Sequence, residues 1–105
     1  MKFIITESKL TNLVFDYLNS QEFYRLKYQF GYVFWDSKES WESGGFISIN
    51  VNHVRKECFV NSDLVVEVSS FFSLDLETAL NIIGEWTKTK IDFDFDYILS
   101  DYGSD

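Results

Sequence analysis

Two stretches of helical periodicity bracket a long block of strand-forming residues, and that order restricts the chain to a mixed fold. In "TESKLTNLVFDYLNS", Leu10, Leu13, Val14, Tyr17 and Leu18 recur at i, i+3, i+4, i+7 and i+8, the spacing of one apolar helix face. Thr6 is placed to cap this helix, and Glu7 complements the positive end of its dipole. In "SLDLETALNIIGEWTKTK", a stripe of Leu76, Ala79, Leu80, Ile83 and Trp86 predicts a second helix. Ser73 or Asp75 supplies its cap, and Lys88 and Lys90 suit its C-terminal end.

The block between them behaves differently. "EFYRLKYQFGYVFW" is dense in aromatic and β-branched residues, which favour strands. Arg25 and Lys27 alternate there with Tyr24, Leu26 and Tyr28, predicting one wet face and one dry face, with Gly31 as a bulge or bend. The polar segment "DSKESWESGG" turns the chain. In "FISINVNHV", Ile47, Ile49 and Val51 alternate with Ser48, Asn50 and Asn52, which predicts a half-buried strand antiparallel to the one ending at Trp35. "KFIIT" near the start reads as a further short strand. Over 62–72, Leu64, Val68, Phe71 and Phe72 fit a helix capped by Ser62, although "LVVEV" has strand propensity; the helix is adopted. The expectation is an α+β fold with a small antiparallel sheet and about three helices packed on one face. Residues 1–105 form one domain, with 99–105 as a flexible acidic tail.

A chain of 105 residues buries roughly two thirds of its unfolded surface, enough for a true core. With 11 Phe, 6 Tyr and 3 Trp, that core is expected to be aromatic. No apolar run approaches the roughly 18 residues that cross a bilayer, and "MKFIITESKL" lacks a signal-peptide apolar region. A cytoplasmic protein without membrane contact is therefore expected. The lone Cys58 fits a reducing compartment and a buried small hydrophobe.

The opening "MKFIITESKLTNLV" and the later "SSFFSLDLETALNIIGEW" resemble small uncharacterised proteins encoded by tailed phages. Many of these begin with Met-Lys, an apolar pair and "ITES" before a helix, and end on a short helix followed by an amphipathic one containing tryptophan. The resemblance covers about a third of the chain in two pieces. It implies a phage-encoded accessory protein working in the host cytoplasm, and it transfers no catalytic or ligand residue.

Chemistry-bearing constellations are few. His53 and Cys58 are five residues apart, on opposite faces of a strand and about 140° apart on a helix, so they make no nucleophile–base pair. Two such residues fall short of the four ligands of structural zinc. Asp92, Asp94 and Asp96 match the opening of a calcium loop, D-x-D-x-D. The match fails at its sixth position, Tyr97, and at its twelfth, Gly103. Gly44–Gly45 lacks the spacing and lysine of a phosphate-binding loop. Tyr24, Arg25, Lys27 and Tyr28 read as a sheet strand with one basic face rather than a base-stacking platform. Glu39 and Glu42 lie among like charges with no substrate motif. No catalytic residue, metal or cofactor is assigned, and an enzyme is not expected.

The C-terminal "KIDFDFDYILSDYGSD" carries the strongest pattern. Asp92, Asp94 and Asp96 alternate with Phe93, Phe95 and Tyr97, predicting a terminal strand with acids on one side and aromatic rings in the core. Residues 91–105 hold five acids and no Lys or Arg, so they carry −5 of the net −8. Direct binding to nucleic acid is disfavoured, because that affinity comes from clustered Lys and Arg. The leading expectation is a non-enzymatic acidic interaction protein that docks on a basic host protein through Asp92, Asp94, Asp96, Asp101, Tyr102 and Asp105. In the light of the phage resemblance this means an inhibitor or modulator of a host nucleic-acid-binding protein. A single acid row is too sparse to mimic DNA, whose strand presents a charge about every 3.4 Å. Mimicry requires Asp63, Glu67, Glu77 or Glu85 to assemble beside it. The alternative is a self-associating structural subunit of phage assembly, a homo-oligomer that uses exposed aromatic residues such as Trp35, Trp41 and Tyr102.

Overall fold

The computed structural model describes residues 7–91 and 94–101, with side chains from residue 9 onward. The strand expected at 2–6 and the Thr6 cap lie outside the described residues. α1 (Glu7–Ser20) forms where the first periodicity predicts it. Val14 and Leu18 are fully buried, while Leu10 and Tyr17 pack at the margin. Leu13 is 46% exposed, because the buried arc centres on Val14 and Leu18 and leaves it on the flank.

The aromatic block folds as a hairpin of β1 (Tyr24–Tyr28) and β2 (Gly31–Trp35), joined by Gln29 and Phe30. Gly31 therefore starts a strand instead of bending one. A Cβ at this position would run into the Val51 carbonyl on the next strand. The polar segment is more than a turn: Ser37 accepts from the Ser40 N–H and caps a short α2 (Lys38–Glu42). β3 (Ile47–Asn52) pairs antiparallel with β2 as expected. A bulge at Phe34/Trp35 shifts the register, so Ser48 is buried and Ile47 is 38% exposed, the reverse of the simple alternation. β4 (Glu57–Val60), which no sequence signal marks, pairs antiparallel with β3.

The ambiguous stretch is α3 (Ser62–Phe72), capped by Asn61 in place of the expected Ser62. The Asn61 side-chain Oδ1 accepts from the Asp63 N–H at 2.8 Å. Phe71, placed in the apolar stripe, is 66% exposed. α4 (Leu76–Lys88) follows, with the Asp75 carboxylate accepting from the Thr78 N–H at 2.7 Å. α3 and α4 together form the crossover that lets β5 (Tyr97–Ser100) lie parallel to β4. The result is α+β: a five-stranded, mostly antiparallel sheet in the order β1-β2-β3-β4-β5.

Pairing register assigns the two faces of the sheet. One row, Tyr32, Val51, Cys58 and Ile98, and a second, Phe34, Ile49, Val60 and Ser100, face α1, α3 and α4. They meet Val14, Leu18, Leu64, Val65, Val68, Ala79, Ile83 and Trp86 in one core. The Phe34 and Trp86 rings lie 5.9 Å apart between centroids. The same register puts Arg25 opposite Phe34 and Lys27 opposite Tyr32, on the helix side. Arg25 and Lys27 are nevertheless exposed and Tyr24, Leu26 and Tyr28 half-buried, so the wet and dry faces of β1 are as expected, with the wet one on the helix side. The Arg25 guanidinium donates to the Lys90 carbonyl just past α4, and the Lys27 ammonium sits 5.8 Å from the Tyr32 ring centroid.

Candidate functional site

The described part of the C-terminal alternation, 94–96, is not strand. Asp94 and Phe95 are coil, and β5 begins only at Tyr97. Phe95 is buried with the Lys88 ammonium 5.1 Å from its ring centroid, whereas Tyr97 is 59% exposed. Phe95 and Tyr97 therefore do not share a face, and Ile98 is the inward residue, against Gly84 of α4. Leu99 and Ser100, expected in the tail, belong to β5.

The predicted partner-binding acids consequently divide between the two ends of β5. Asp94 is exposed and 3.2 Å from Lys88 Nζ, which also lies 3.6 Å from Glu85. The hydrogen bond from Lys88 holds the Asp94 carboxyl below its ordinary value, helped by the Phe95 N–H. Asp96 is exposed, and its N–H donates to the Lys56 carbonyl at 2.9 Å. Asp101 is also exposed and accepts from the Ser62 N–H at 3.1 Å, beside the start of α3. Five residues of extended chain put Asp96 and Asp101 about 16 Å apart. Asp92, Tyr102 and Asp105 lie outside the described residues. Of the acids that mimicry requires, Glu85 joins Asp94 through Lys88, and Asp63 lies beside Asp101 at the α3 start. The described acids form two groups, not one line.

A cleft of about 420 Å³ opens beside the α3 start, lined by Asp36, Asp63, Glu67, Ser48 and Phe23 among others. Two of its three carboxylates serve the fold: Asp36 accepts from Ser48 Oγ, and Glu67 accepts from Tyr17 Oη at 2.6 Å. Burial, with that bond to Glu67, pushes the Tyr17 phenol up to about 12. Among the described residues no cluster of His, Cys, Asp and Glu is arranged to hold a metal ion. Cys58 is fully buried on β4, and burial pushes its thiol up to about 12 against the opposing pulls of Thr87 and Lys88. His53 is exposed in the turn after β3.

The surface that sequence reasoning only touched is the sheet face turned away from α1, α3 and α4. Leu26, Val33, Asn50, Phe59 and Leu99 form a continuous row across all five strands. Tyr28, Gly31, Asn52, Glu57 and Tyr97 form the next row. Phe59 is 42% and Leu99 41% exposed, and Glu57 is the one charged residue in either row. At one corner, Trp41 of α2 lies against Tyr24 and Trp35, with ring centroids 5.2 and 6.3 Å apart. The two tryptophans singled out from the sequence therefore do come together. The rest of the face needed the hairpin register, because alternation tells which residues share a side but not which side is covered.

A second cleft, of about 370 Å³, lies at the β1 edge between Phe23, Arg25, Trp86 and Lys90. Glu22 lines it together with these two cations. No described helix is long and apolar enough to cross a membrane. No protein family, curated protein or solved structure matches this chain.

Proposed function

We propose that this protein is a non-enzymatic, self-associating interaction subunit that uses the open face of its sheet. The observation that carries this reading is the five-strand row Leu26–Val33–Asn50–Phe59–Leu99, which contains no charge although the chain carries −8. A nearly neutral face lets two strongly acidic copies approach with their charges turned outward. Covering what remains exposed of Phe59, Leu99 and Tyr97 contributes about 1–2 kcal/mol for each residue. In a two-fold pair that amounts to roughly 10 kcal/mol, against an association cost of about 4–15 kcal/mol. The expected dimer is weak and concentration-dependent. The likeness to small tailed-phage proteins fits an assembly subunit of this kind.

The test is light scattering from micromolar to millimolar concentration on the natural chain and on Phe59→Lys/Leu99→Lys. The natural chain should gain mass with concentration, more so at high salt, where repulsion between acidic copies is screened. At high salt the variant should stay monomeric. A sharp monomer mass for the natural chain throughout would overturn the reading.

A second reading keeps the acidic surface as a docking site for a basic protein, favoured by the stretch 94–101, which exposes Asp94, Asp96 and Asp101 and holds no Lys or Arg. Capture of a basic partner that is lost both at high salt and by Asp94→Asn/Asp96→Asn would support it. Capture indifferent to salt and to that variant would remove it.

A further inference from the structure

The two edges of the sheet carry opposite charge. β1 presents Arg25 and Lys27 and no acid, with Lys90 held beside it through the Arg25 contact. β5 is flanked by Asp96 and Asp101, with Asp94 beyond them paired to Lys88. Neither strand has a second neighbouring strand among the described residues. In an antiparallel ladder every second residue of an edge strand points its N–H and C=O away from its partner, so β1 offers a free hydrogen-bonding rim. Charged residues on edge strands normally prevent such rims from pairing. Here like charge opposes pairing of β1 with β1 and of β5 with β5, and leaves only the unlike pair favourable.

We infer that the β1 edge of one copy pairs antiparallel with the β5 edge of the next, extending the sheet from molecule to molecule. Strand direction permits it. Three successive antiparallel pairings and one parallel pairing make β1 and β5 run in opposite senses within one copy, so a translated neighbour meets β5 in antiparallel orientation. The register that sets Lys27 opposite Asp96 also sets Leu26 opposite Tyr97 and Tyr24 opposite Leu99. Those two apolar pairs prolong the open face, while Arg25 falls opposite Ile98 on the helix side. The contact is head-to-tail, so it builds open chains rather than closed dimers. It does not rest on face-to-face association: the edge contact is made by strand backbone and the Lys27–Asp96 pair, Phe59 of β4 takes no part in it, and the two contacts respond to salt in opposite directions.

Sedimentation velocity of the full chain at low and high salt, with Lys27→Glu, Asp96→Lys and the double exchange, tests this. At low salt the natural chain should populate species larger than a dimer, and these should recede at high salt. Each single exchange should weaken association by about tenfold, from an attractive to a repulsive cross-strand pair. The double exchange should restore it. Phe59→Lys, on β4 and outside the edge contact, should abolish the salt-strengthened dimer and leave trimers and longer species in place at low salt. Assembly that ignores both single exchanges, or a natural chain with nothing larger than a dimer at low salt, overturns the inference.

Discussion

Gly84 sits where α4 crosses β5, and the absence of a side chain there sets how closely helix and strand approach. A Cβ at 84 would collide with the Ile98 side chain. Helix propensity alone favours Ala over Gly by up to about 1 kcal/mol. The overpacking costs about 1–3 kcal/mol, so Gly84→Ala should destabilise by about 1–2 kcal/mol in urea denaturation. Trimming Ile98 to Val in the same chain should recover part of that loss. A variant as stable as the natural chain would mean that the helix and strand can separate at little cost. Nothing in "NIIGEW" announces this role, since a glycine inside a helical stripe looks the same whether it faces a strand or water. Cys58, by contrast, was legible: a lone small hydrophobe in a β-rich region belongs in the core, and it lies there fully buried.

At the scale of elements, caps and periodicity carried most of the information. Asp75 was one of two caps expected for α4, and it is the one used. The Thr78 backbone N–H, followed by the Thr78 side chain, holds its carboxyl below the ordinary value. A carboxyl with a depressed folded pKa stabilises fully above its unfolded value, near 4, and loses that contribution as pH falls through the folded value. Asp75→Ala should therefore lower the melting midpoint by a few degrees at neutral pH. The gap between variant and natural chain should close as the solution is acidified. A gap independent of pH would mean that the carboxylate is not what caps the helix. The strands were less legible. β4 has four residues, and its pairing with β3 and β5 gives it a stability that "ECFV" alone does not express. In the terminal segment the acid–aromatic alternation was real, but the strand starts at Tyr97, after most of it has passed.

For the whole molecule the −8 charge is the dominant long-range term, and the described ion pairs centre on Lys88 with Glu85 and Asp94. Self-repulsion of that size weakens the compact state and is screened within about 10 Å at 0.1 M salt. Thermal melting in a non-binding salt should accordingly shift upward by a few degrees between low and moderate ionic strength; a downward shift would show that ion pairs outweigh repulsion. Sequence by itself determined the fold class, the positions of α1, α3 and α4, the pairing of β2 with β3 and the burial of Cys58. Each of these follows from local periodicity or from the volume and polarity of single residues. Only the tertiary structure decided which face of β1 turns to the helices, that the acids stand in two groups, and that one sheet face remains open. Those outcomes depend on strand register and on the path of the α3–α4 crossover. A one-residue change of register reverses every side chain of a strand, and local composition does not encode that choice.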